Sequence, residues 1–255
     1  MRRIASLALR LAVSGALIGW LLSRADLAAI GRELGAVGSG NVALILGLQL
    51  VNTALKSYKW QQLLAADGIH LSHSTAFASY MVSTFFSVFL PTAIGGDAVR
   101  AVDTARRSGR GVATATSVVA DRVLGFAAIG LVGVASIGAG AAAALDPHLR
   151  AVGATLYLSV LATAVLAFTD VFGWAAPWFG GRLSRVQRGM RMISASIAAY
   201  RDSGGLWRWV LVSVAAQVIV VLAVWVIARA LAIGAPLPYF FAIVPLVSLV
   251  ESVPV

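Results

Sequence analysis

Residues 206–230 read "LWRWVLVSVAAQVIVVLAVWVIARA", with arginine only near the two ends. An unbroken apolar stretch of about 20 residues is what a helix needs to cross a bilayer. Inside hydrocarbon no water satisfies backbone N–H and C=O groups, so a chain built from such stretches is restricted to helices. The pattern repeats along the sequence, and only 12% of the residues are charged, about half the share of a soluble domain. Mean hydropathy is +0.89. The fold class expected is an all-α polytopic membrane protein.

The spans are read as follows. "LALRLAVSGALIGWLL" follows Arg2 and Arg3. A signal peptide has the same basic start, but no small-x-small cleavage site follows Trp20, which favours an uncleaved first helix. The second run covers about 41–64 and ends near Lys56, Lys59 and Trp60, suited to snorkelling amines and an interfacial indole. Further runs cover about 76–94, 112–145, 151–172, 206–230 and 239 to the end. Asp146-Pro147 closes the fourth. The last run has no polar tail, so a C-terminally incomplete single membrane domain over 1–255 is expected.

Loop charge sets the topology. Basic residues gather at the N-terminus, at 100–110 and at 182–208, and such clusters favour the cytoplasmic side. With the N-terminus cytoplasmic, a full span at 76–94 would place both later clusters outside. A stretch that enters and turns back keeps all three inside. Pro91, Gly95 and Gly96 break helix where that turn is needed. The expectation is therefore about six transmembrane helices plus a re-entrant helical hairpin, in a bacterial or archaeal plasma membrane.

Residues 182–203 differ. Leu183, Val186, Met190, Ile193, Ile197 and Tyr200 form one stripe, with Arg182, Arg185, Arg188 and Arg191 around it. This is a basic amphipathic helix. It either lies on the cytoplasmic leaflet or packs on the bundle ends with its arginines in water.

Charged residues within apolar surroundings mark the candidate site. In "LPTAIGGDAVRA", Asp97 either caps the helix that follows or belongs to an anion site. In the second case Gly95, Gly96 and the helix N-terminus offer N–H groups, with Arg100 one turn on. In "VVADRVLG", Asp121 and Arg122 point about 100° apart on a helix, so each needs a partner elsewhere. Contacts from Arg122 to Asp97, or from Arg100 to Asp121, are expected. The Asp-Arg pair sits either at the cytoplasmic interface or within the membrane. Glu251 is a further candidate; its alternative is to approach the opposite headgroups.

Other chemistries find no residues to carry them. Cysteine is absent, and His70, His73 and His148 are scattered, so no metal site, catalytic residue or cofactor is expected. The net charge of +10 is explained by cytoplasmic loops meeting anionic lipid, not by nucleic acid. There is no P-loop to couple ATP.

The segments "NTALKSYKWQQLL", "FFSVFLPTAIGGDAVRA" and "TSVVADRVLG" resemble the transmembrane domain of lysylphosphatidylglycerol synthase, a family also called flippase-like. The matching positions are Lys59-Trp60, then Gly95, Gly96, Asp97 and Arg100, then Asp121, Arg122 and Gly125. Thr92 and Ala93 stand where the family often has glycine. Its late proline and glycine-rich motif would begin near Pro254. The resemblance implies movement of an anionic phospholipid or a polyprenyl-linked lipid between leaflets. Gly95, Gly96, Asp97, Arg100, Asp121, Arg122 and Glu251 would bind the phosphate headgroup. A homo-oligomer or a separate soluble synthase is the protein partner it suggests. The alternative is a membrane-embedded transferase or hydrolase acting on a lipid phosphate or lipid-linked sugar, with Asp97 and Asp121 as acid and base.

Overall fold

The computed structural model describes residues 37–89 and 95–252, apart from 142, 144, 170 and 180–183, together with scattered positions before residue 37. Most of the first apolar run, the Pro91 turn, Leu183 and Pro254 lie outside the described residues. The described elements are α1 (Ser39–Ala66), α2 (His73–Phe89), α3 (Gly95–Ser108), α4 (Gly111–Gly138), α5 (Pro147–Ala167), α6 (Val171–Ala175), a 3-10 turn (Ala176–Phe179), α7 (Ser184–Asp202), α8 (Leu206–Ala230) and α9 (Leu237–Glu251). The protein is all-α.

Local chemistry explains several boundaries. At the end of α1, Gly68 takes φ +72°. Its N–H bonds the Ala65 carbonyl, and the Ile69 N–H bonds that of Leu64. This is a Schellman stop, a geometry that favours glycine. Asp146 caps α5, accepting from the His148 and Leu149 N–H groups, with Pro147 at the first helical position. The fourth apolar run was expected to continue to Leu145, but α4 stops at Gly138, where Gly140 adopts φ +75°.

Helix α4 is the hub, packed against α1, α3, α5, α7, α8 and α9. Small residues allow this. A Cβ on Gly130 would lie 2.7 Å from Leu161, and one on Gly133 would lie 2.5 Å from the Tyr157 ring, the close approach that small residues permit between membrane helices. Tyr157 then crosses to α9 and donates to the Ala242 carbonyl at 2.7 Å. Elsewhere the surface is apolar: Val42, Leu46 and Leu50 of α1, and Leu158, Val165 and Leu166 of α5, are exposed. So continuous an apolar exterior suits lipid, not water.

Among the described residues, α4, α5 and α8 are long and apolar enough to cross a membrane. Helix α1 has the length, 28 residues. Its second half buries Asn52, Thr53, Ser57, Lys59 and Gln61, so it is polar where it meets the bundle. Helix α9 is shorter, at 15 residues.

Helices α2 and α3, of 17 and 14 residues, are each shorter than a span of about 20. They pack on each other and run antiparallel. Ser83 and Ser87 meet Gly96 near the closed end, while Ser74 and Thr75 share a cleft with Asp103 and Arg107 at the open end. The open end lies with the end of α1 and the start of α4, because Arg110 Nη1 donates to the Asp67 carbonyl at 2.6 Å. Tyr200 of α7 donates to the Asp67 carboxylate and stacks edge-on to Trp209 of α8. The described basic segments therefore collect at one end of the bundle.

The described part of the amphipathic stripe lies on helix α7. Ile197 and Tyr200 are buried on the bundle end, whereas Val186 is exposed. Arg188 and Arg191 are exposed. Burial and then the hydrogen bond to Asp67 push the Tyr200 hydroxyl pKa far above its ordinary value, keeping it a neutral donor.

A Cβ on Gly96 would lie 2.0 Å from the Ser83 carbonyl oxygen. Gly96→Ala is expected to cost about 1–3 kcal/mol through overpacking, read as a lower Tm of the detergent-solubilised protein. Gly47→Ala, in an exposed part of α1 with nothing within 4 Å, should be neutral or stabilising, by up to about 1 kcal/mol.

Candidate functional site

The site forms where α1, α2, α3, α4 and α8 converge. Asp121 on α4 is its centre, 4% exposed. Lys59 of α1 reaches its Oδ1 at 2.9 Å, Arg100 of α3 reaches Oδ2 at 2.8 Å, and Tyr80 of α2 donates to Oδ2 at 3.0 Å. One carboxylate thus ties three helices to a fourth.

Lys59 uses its remaining donors on the Asp121 carbonyl at 3.2 Å and the Ser213 hydroxyl of α8 at 2.8 Å. Arg100, 2% exposed, lies between two aromatic rings, its guanidinium carbon 4.8 Å from the Trp60 centroid and 4.5 Å from that of Tyr80. Desolvated contacts of this kind contribute roughly 2 kcal/mol each. Trp60 is oriented by donating to Ser117 at 3.2 Å.

Asp97, in the first turn of α3, completes the lattice. It accepts from Arg100 Nε at 3.0 Å and is ion-paired with Arg122. Both expected cross-contacts are made, Arg100 to Asp121 and Arg122 to Asp97. The 100° divergence of Asp121 and Arg122 sends one inward and leaves the other's side chain 34% exposed. Asp97 spends its oxygens on arginines; among the described residues its side chain makes no hydrogen bond to a backbone N–H.

These residues line a cleft of about 240 Å³, bounded also by Lys56, Gly125, Phe126, Ile129, Ala216, Gln217 and Ser252. At 1.5 Å per residue, the polar groups lie about 10–16 Å in from the basic helix ends. Gly125, one turn beyond Asp121, has nothing within 4 Å of an added Cβ, so its lack of a side chain keeps the cleft open. Gly96 has a packing role against α2, and Gly95 opens α3. Glu251 ends α9, exposed, and does not line the cleft, although its neighbour Ser252 does. Among the described residues no three metal-ligating side chains come together.

Two expectations are corrected. Lys59 does not snorkel to headgroups: it is 3% exposed and bound to Asp121. Trp60 is not interfacial; it is fully buried against Arg100. Tyr80, Ser213 and Gln217 were not singled out in the sequence. Lys56 and Lys59, spaced one turn apart in the polar half of α1, were the available signal for the α1 side.

Residues 7–255 match the family model described as the lysylphosphatidylglycerol synthase TM region. The chain belongs to this family. As a lysylphosphatidylglycerol synthase TM-region protein it is a membrane protein, and its lipid-related character follows from that membership. No curated protein and no solved structure matches it. The Gly95-Gly96-Asp97-x-x-Arg100 and Asp121-Arg122-x-x-Gly125 segments that carry the family resemblance are the same ones that build the cleft.

Asp121→Ala would leave Lys59 and Arg100 buried without their shared counter-charge. The expected cost is about 3–5 kcal/mol, measured as lost folded protein in a denaturant or thermal series. Tyr80→Phe, which removes one donor of several, should cost only about 1.5–3 kcal/mol.

Proposed function

We propose that the protein binds the phosphate of a membrane lipid in this cleft and moves that lipid between leaflets. The observation that carries the reading is a shared wall. The polar cleft and an apolar groove of about 490 Å³ between α4, α5 and α9 have Phe126 and Ser252 in common. Leu156, Val160, Ala164, Leu249 and Val250 line the groove. A lipid presents the same division, with a charged headgroup joined to apolar chains.

In this reading α2 and α3 are a re-entrant hairpin, and the basic end of the bundle faces the cytoplasm, as arginine-rich loops favour. An ionised phosphate in hydrocarbon is costly unless paired. Arg122, partly exposed and ion-paired with the half-shared Asp97 carboxylate, is positioned to exchange that carboxylate for a phosphate oxygen. Charge-assisted exchange leaves the number of ion pairs unchanged, which keeps the barrier low. The enzymatic alternative needs a free acid or base. Asp97 and Asp121 are instead committed to Arg100, Arg122 and Lys59, which favours movement over bond cleavage.

The test is the purified protein in liposomes carrying a fluorescent phospholipid. Leaflet exchange without covalent change is expected. Arg122→Gln should slow it roughly tenfold or more, the kinetic equivalent of one charge-assisted hydrogen bond. A new lipid product would put the transferase or hydrolase first, and neither exchange nor product would overturn both.

A further inference from the structure

Among the described residues, the charges lining the cleft do not balance. Lys56, Lys59, Arg100 and Arg122 face Asp97 and Asp121, an excess of two positive charges. Glu251, the nearest other carboxylate in sequence, does not line the cleft. The charged groups acting on Lys56 are Lys59, Asp121, Arg100 and Asp97. Lys56 itself lies one turn before Lys59 and has no ion pair or hydrogen bond among the described residues.

Hydrogen bonding is unbalanced in the same sense. Among the described residues, Arg100 Nη1 and Gln217 Nε2 are buried without an acceptor, in residues 2% and 8% exposed. Both residues line the cleft. Of the buried acceptors without a hydrogen bond, Asn52 Oδ1 and Gln61 Oε1 do not line the cleft, and Asp121 Oδ1, which does, is ion-paired with Lys59 at 2.9 Å. Unpaired donors in a membrane interior are costly and mark a place where acceptors bind.

Resting on the lipid-phosphate reading, we propose that this site selects a dianionic group, a terminal phosphomonoester or a diphosphate, with Lys56 as the residue that reads the second negative charge. A phosphodiester carries one charge and leaves one cation of the cleft uncompensated. A phosphomonoester carries about −1.5 to −2 near neutral pH, with three acceptor oxygens, and matches both the charge excess and the idle donors. A headgroup bearing an ammonium finds no free carboxylate, because Asp97 and Asp121 are already held by Arg100, Arg122 and Lys59. The same dianion could reach the cleft on a lipid or as free phosphate; the adjoining apolar groove favours the lipid.

The experiment compares dioleoyl phosphatidic acid with dioleoyl phosphatidylglycerol, which share acyl chains and differ in headgroup charge. Binding to the full chain in detergent is followed near neutral pH, with inorganic pyrophosphate as a water-soluble probe. Phosphatidic acid should bind roughly tenfold tighter or more. Lys56→Met should weaken it more than phosphatidylglycerol and collapse the preference, and Lys56→Arg should restore it. Equal affinities, or a preference for phosphatidylglycerol, would overturn the dianion assignment while leaving the lipid reading standing. Tight pyrophosphate binding without lipid binding supports the dianionic site and overturns the lipid reading. Binding of none of the three overturns both.

Discussion

Asp121 is the interaction on which the rest of the structure depends. Its carboxylate is buried on the central helix and holds an ammonium from α1, a guanidinium from α3 and a phenol from α2. In surroundings of low dielectric such contacts are strong, and so is the penalty for losing one partner. The short hairpin α2–α3 is fastened to the bundle by this carboxylate and by the apolar cluster of Ala76 with Trp60, Leu64 and Val118. The Gly96–Ser83 backbone approach holds its two helices to each other. Remove the charge and the hairpin loses its reason to enter the bundle.

The same economy explains why the lattice is shared and not made of separate pairs. Arg100 serves Asp97 and Asp121 at once, and its guanidinium faces are covered by Trp60 and Tyr80. A planar, permanently charged group with a fork of donors can do this; a lysine could not. Lys59, by contrast, is a point charge whose donors go to a carboxylate, a carbonyl and a hydroxyl. The chain uses each basic side chain for the geometry it is suited to.

Much of this was legible before any coordinates. Apolar run length marked the helix at 206–230 closely; the run expected at about 151–172 is instead a helix over 147–167, begun by the Asp146 cap and Pro147. The charge arithmetic of the loops called for a stretch that enters and turns back; the fold has two short antiparallel helices with their open end beside the basic segments, and their placement in a membrane belongs to the proposed function. The divergence of neighbouring helical residues required Asp121 and Arg122 to find partners elsewhere, and the Asp97 turn supplied them. What stayed hidden was which face of each helix meets the bundle. Lys59 and Trp60 stand near the end of an apolar helix, where a snorkelling amine and an interfacial indole are the usual occupants. Nothing local distinguishes that from a buried ion pair, because the distinction is made by Asp121, 62 positions away. Gln217 and Ser213, four residues apart on one face of α8, are uncharged polar residues in a long apolar run, too weak a pattern to mark a site. Glu251 shows the converse: a carboxylate in an apolar run attracts notice, yet in the described fold it ends its helix exposed.

The position of the cleft joins stability to function. Helices that meet only through apolar contacts in lipid gain little from sliding or rotating, because lipid tails are equally good neighbours. A polar lattice changes this, since its members must be satisfied somewhere. In the proposed function, a phosphate entering the cleft would offer Arg122 an alternative to Asp97, and it would offer the idle donors of Lys56, Arg100 and Gln217 acceptors. The buried Asp121 contacts would not need to open for this to happen. On that proposal the lattice has a fixed half centred on Asp121 and an exchangeable half at its more exposed edge, centred on Asp97 and Arg122. A ligand would then be held and released at the edge without unfastening the helices at the centre.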